Sequence, residues 1–144
     1  MSSGPSAIKV SAEVIGEVRK AVEEFNSWRF YDCHETLEDV WRESGAKGEP
    51  TGATNFYQGL IKAAAGFHHV LRGNHKGAVN LVSDSLALLE PYWPVCLEID
   101  VEQLVSQVRV CLDRIEELGA ERLAEFDREM IPKIDLVDDR GQVG

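Results

Sequence analysis

Apolar residues recur through most of this chain at steps of three and four, and no stretch sustains a two-residue alternation. A helix turns by about 100° per residue, so such steps gather apolar side chains on one face; a strand would gather every second residue. Val14, Val18, Val22 and Phe25 form the first stripe, behind Ser11 as an expected N-cap, with Glu13, Glu17, Glu23 and Glu24 off it toward solvent. A second helix is expected over about residues 30–43, with Phe30, Leu37 and Trp41 inward. A third begins near Thr54, carries Phe56, Leu60, Ala64, Phe67 and Leu71, and ends at Gly73-Asn74. The fourth supplies Val79, Leu81, Val82, Leu86, Leu88 and Leu89, a broad stripe that predicts the most buried helix of the set. The fifth runs from an Asp100/Gln103 capping box through Val101, Leu104, Val108, Cys111, Leu112, Ile115 and Leu118 to a stop at Gly119. No Asn-Gly hairpin signal interrupts this pattern. The expected fold is all-α, a single compact bundle of about five helices.

The remaining segments follow from their punctuation. Residues 1–9 read as a flexible arm, residues 10–119 as the bundle domain, and residues 120–144 as a short charged helix and a fraying tail after Pro132. The segment SGAKGEPTG at 44–52 cannot continue a helix and is a candidate lid or entrance between the second and third. Pro91 and Pro94 bracket an aromatic connector. The helix–turn–helix rhythm lacks the regular spacing of tetratricopeptide repeats.

Charge narrows the partners. Fifteen Lys and Arg against twenty-five Asp and Glu leave a formal charge of −10, which opposes binding to nucleic acid or to an anionic membrane surface. Residues 1–50 carry −4, residues 51–90 carry +1 and residues 91–144 carry −7, so a small anion near Arg72, His75 and Lys76 stays compatible with the total. No apolar run approaches the roughly 20 residues of a membrane span, and Met1-Ser2-Ser3-Gly4-Pro5 does not read as a secretion signal, which points to a cytoplasmic protein. Cys33, Cys96 and Cys111 are odd in number, form no CxxC pair and sit among apolar residues; they read as small buried hydrophobes.

The second helix breaks the binary pattern. Glu38 and Trp41 each fall within about 40° of His34, close to the core-facing stripe, and Glu35 lies at its margin. On the third helix Gln58, Ala65 and His69 share a line, with His68 one position aside. If the two polar stripes converge, His34, Glu38 and His69 form a candidate site for a divalent metal (zinc, iron or manganese), because two imidazoles and a carboxylate suit these ions. Glu35 would then be a general base, and Gln58 and Trp41 would contact substrate in a hydrolytic reaction. The string H-E-x-x-E lacks the second His of zinc peptidases, and no paired Glu-x-x-His supports a di-iron bundle. The alternative is a non-catalytic structural or protein-interaction module. There the polar cluster only locks helix packing, while a surface at Tyr92-Trp93 or on helix five engages a protein partner or a second copy. His75 reads as a solvated loop residue.

These residues also carry a family likeness. Phe25-Asn26 and Tyr31 lead into D-C-H-E-T-L-E-D-V-W-R, followed by Q-G-L-I-K-A-A-A-G-F-H-H and R-G-N-x-x-G-A. This sequence resembles the small bacterial and archaeal family catalogued as domain of unknown function 309, from about Phe25 to Leu89, and I-D-V with its following helix resembles that family's C-terminal part. The resemblance implies a compact helical bundle. It implies that the family's H-E-x-x-E-x-x-W string falls on His34, Glu35, Glu38 and Trp41, and its Q-G and H-x-x-x-x-N elements on Gln58, Gly59, His69 and Asn74. Lys62 stands where that family leads one to expect a second Gln. No activity comes with the family.

Overall fold

The structure, a computed structural model, describes residues 8–46 and 52–137, with side chains placed to Ser44 in the first segment. Five long helices follow one another: α1 (Ala12–Asn26), α2 (Phe30–Ala46), α3 (Thr54–Leu71), α4 (His75–Leu89) and α5 (Val101–Arg122). Each packs chiefly on its neighbours in sequence, and the α3–α4 interface is the most extensive. The candidate lid at 44–52 and the arm at 1–9 fall largely outside the described residues.

Local chemistry accounts for the helix ends. Ser11 Oγ accepts from the Val14 amide at 3.1 Å, and Asp100 Oδ1 from the Gln103 amide at 3.0 Å, satisfying donors the first turns leave open. At the end of α3, Asn74 N–H donates to His69 O and Gly73 N–H to Val70 O, a Schellman arrangement whose left-handed residue is Gly73 at φ 79°. The end of α1 closes in the same way, with Arg29 N–H on Glu24 O and Trp28 N–H on Phe25 O. Here the left-handed position is Trp28 at φ 62°, where a side chain is costly, so tertiary packing holds this turn.

The core runs through all five helices. Phe25, Phe30 and Phe67 are fully buried and meet at ring distances of 5.1, 6.1 and 6.2 Å, the first two contacts edge to face. α3, and not α4, is the most buried helix: ten of its residues are buried against five in α4. Gly59, Ala63, Ala64 and Gly66 explain why, since small side chains let α4 approach closely. Glu24 departs from the solvent face assigned to it and is only 5% exposed. The three cysteines are buried, and burial pushes each thiol up to about 12.

Beyond Leu89 the chain is more ordered than its sequence suggests. A 3₁₀ turn (Glu90–Tyr92) leads to a two-stranded antiparallel hairpin, β1 (Val95–Cys96) and β2 (Ile99–Asp100), paired Val95 to Asp100 and Cys96 to Ile99. The expected charged helix over 120–130 is instead two 3₁₀ turns, Leu123–Glu125 and Arg128–Met130, after α5 breaks at Gly119 (φ 71°). Nor does the chain fray at Pro132: Ile131, Ile134 and Val137 are buried, and Leu136 bridges to Ile99. Residues 138–144 lie outside the described residues.

Asn26 fastens this last segment. Its amide donates to Ile134 O at 3.0 Å and accepts from Ile134 N–H at 2.7 Å, while Lys133 Nζ reaches Asn26 O at 2.6 Å. Asn26→Ala leaves two part-buried backbone groups unpaired and is expected to cost about 1–3 kcal/mol. Denaturant titration reads that loss, and limited trypsinolysis should show faster cleavage after Lys133. Unchanged cleavage would mean that burial alone retains the segment.

Candidate functional site

Side chains on the outer surfaces of α2 and α3 sort into two groups. On α2, His34 Nε2 lies 4.0 Å from Glu38 Oε2, beyond a hydrogen bond but close enough for attraction. Glu38 also receives Arg42 at 3.3 Å, and Arg42 contacts Asp39 at 3.1 Å. His34 Nδ1 is buried with no hydrogen-bond partner among the described residues. Glu35 is exposed and is engaged by Tyr31, whose hydroxyl it raises above its ordinary range through their hydrogen bond and its negative charge. Trp41 is half-buried and packs against the core, and Gln58 is half-buried.

On α3 the two adjacent histidines behave differently. Desolvation, followed by the influence of Arg72, His69 and His34, pushes the His68 imidazole below its usual range. His69 turns instead to the α3–α4 junction, where Asn74 Nδ2 sits 3.1 Å from its Nδ1. Asn74 Oδ1 already takes the Gly77 amide at 3.0 Å, so Nδ2 donates and His69 Nδ1 accepts. That assignment leaves the proton of a neutral His69 on Nε2. A Cβ at Gly77 would meet His69 Cγ at 3.1 Å, so the ring also packs on the first turn of α4.

His34 and Glu38 sit together on α2, while His69 lies beside His68, their ring centroids 6.1 Å apart, and also serves the following turn. Among the described residues, no group of three or more His, Cys, Asp or Glu side chains is placed to hold a metal ion. Sequence spacing ranked His69 above His68 because Gln58, Ala65 and His69 fall on one line. That line borders α4: Lys62, one turn after Gln58, lies 3.6 Å from Asp84 of α4.

His75, expected in solvent, is half-buried, and its Nε2 lies 3.1 Å from Ile115 O, near the break at Gly119. Carbonyls in a last helical turn lack intrahelical donors, and an imidazole N–H supplies one. Tyr92, expected on a partner surface, is buried and donates to Gly52 O at 2.6 Å, whereas Trp93 is 49% and Val110 on α5 56% exposed. A concavity of about 700 Å³ lies between α1 and α2 and is lined by Glu13, Glu17, Asp39, Glu43 and Arg42 among others. None of the described helices is long and apolar enough to cross a membrane.

Comparison with known proteins agrees with the likeness read from the motifs. Residues 18–81 match the family described as "Domain of unknown function (DUF309)". The chain is also similar to the uncharacterized protein YpuF of Bacillus subtilis (strain 168), with 28% identity over 100 residues. That match covers 67% of this chain and 55% of the relative, so the chain spans about half the length of the curated protein it matches.

Proposed function

We propose that this chain is a non-catalytic helical module in which the histidines fasten helices and turns, rather than a metal-dependent hydrolase. One observation carries the reading. His69 commits Nδ1 to Asn74 and its ring to Gly77, while His34 lies beside Glu38 on its own helix. The two imidazoles that a shared zinc, iron or manganese ion would need serve separate local ties. Glu35, the residue a hydrolase would use as its base, is held by Tyr31 on an exposed face, a placement better suited to stabilising a helix surface than to abstracting a proton in a closed site. As a module, the protein would meet a protein partner or a second copy through an exposed surface, for which Trp93 and Val110 are the apolar candidates.

A double-mutant cycle on His34→Ala and His69→Ala tests this reading. Two independent roles predict that His69→Ala, which loses a hydrogen bond, costs about 1 kcal/mol, that His34→Ala, which loses an i,i+4 contact, costs about 0.5 kcal/mol or less, and that the double variant shows their sum within about 0.5 kcal/mol. Metal analysis of natively purified protein should find no stoichiometric zinc, iron or manganese. A coupling energy above about 1 kcal/mol, or a bound metal lost in both single variants, would restore the shared site.

A further inference from the structure

We infer that the cleft between the α3–α4 turn and the broken end of α5 is a binding site for a small phosphate-bearing ligand, held by Arg72 and Arg128. The described residues contain eight arginines. Six contact carboxylates: Arg19 with Glu98, Arg29 with Asp32, Arg42 with Glu38 and Asp39, Arg109 with Glu90, Arg114 with Glu117, and Arg122 with Glu125. Arg72 and Arg128 alone have no such partner among the described residues, and both line one cleft of about 370 Å³. They lie 56 positions apart, and the fold brings them to the same hollow.

In a chain of charge −10, carboxylates are abundant, yet among the described residues none pairs with either guanidinium. Two like charges facing one hollow repel each other, and a guest of opposite charge relieves that cost. Guanidinium forks match the geometry of oxyanions, and two positive charges balance a phosphate monoester of roughly −1.5 to −2 better than a single carboxylate. Leu123 and Phe126, both buried, give the same cleft an apolar floor for the body of the ligand, and Glu121 offers an acceptor for a hydroxyl or amine upon it. The volume suits a small molecule. Lys76, adjacent in sequence to the basic turn, is not among the lining residues. This inference stands on the cleft alone and does not depend on the role of the histidines.

The test is titration of the full chain with inorganic phosphate, followed by calorimetry and by the arginine Nε resonances. Saturable binding is expected, weakened at least about tenfold in both R72Q and R128Q and changed less than about twofold in K76Q. Acetate should bind at least about tenfold more weakly than phosphate. Both arginines are exposed and unpaired, so the variants should melt with the wild type; should either one not, the Nε shifts of the unaltered protein decide alone. Non-saturable binding, loss in only one of the two variants, equal affinity for acetate, or shifts confined to other arginines would each overturn the assignment.

Discussion

Phe67→Ala should destabilise this protein by about 3–5 kcal/mol, enough to unfold a marginal domain. The ring is fully buried and touches Phe25 of α1 at 6.1 Å and Phe30 of α2 at 6.2 Å, so one side chain on α3 joins three helices. Removing it forfeits transfer free energy and leaves a cavity that backbones on three sides resist closing. Urea denaturation reads the loss as a shift in midpoint at constant slope. A cost below about 1 kcal/mol would mean that the aromatic cluster does not organise the core.

Gly66→Val should be nearly as damaging, at about 3 kcal/mol. A Cβ at this position would lie 2.6 Å from Val82 Cγ2 and 3.1 Å from the Val82 backbone nitrogen. The first contact can relax by a rotamer change, but the second obliges α4 to move away. Gly16 is the control. It also sits inside a helix, a Cβ there meets nothing within 4 Å, and Gly16→Ala should stabilise by about 0.5–1 kcal/mol through helix propensity alone. Opposite signs at the two glycines, measured by the same denaturation, identify close approach of α3 and α4 as the cause. Equal signs would sink that explanation.

The candidate site was legible only up to the faces of single helices. Steps of four and seven brought His34, Glu38 and Trp41 onto one stripe of α2, and the structure keeps the first two adjacent. What the spacing could not say is which line of α3 borders α2. Gln58, Ala65 and His69 satisfied the periodicity as well as any set, but Gly59 and Gly66 draw α4 against their flank, and His69 turns to the α3–α4 junction. Face-to-face pairing is a property of two helices, and a hydrophobic pattern describes one at a time.

The hairpin makes the same point in reverse. Leu97 and Glu98 occupy its two-residue turn at φ 49° and 71°, positions where Asn-Gly is the usual choice. Nothing local favours this geometry for Leu and Glu. Tertiary contacts impose it: Leu97 is buried, Glu98 is drawn to Arg19 of α1 at 2.7 Å, and Glu98 O accepts the Val137 amide.

Sequence alone determined the helical class, the helix starts at Ser11 and Asp100, the turn at Gly73-Asn74 and the burial of the cysteines, because each rests on periodicity or on contacts within a few residues. Tertiary structure alone decided the tie between Asn26 and Ile134 and the meeting of Arg72 with Arg128. Those depend on chain segments tens of residues apart, whose approach is set by side-chain volume and burial across whole interfaces, and no local pattern encodes that sum.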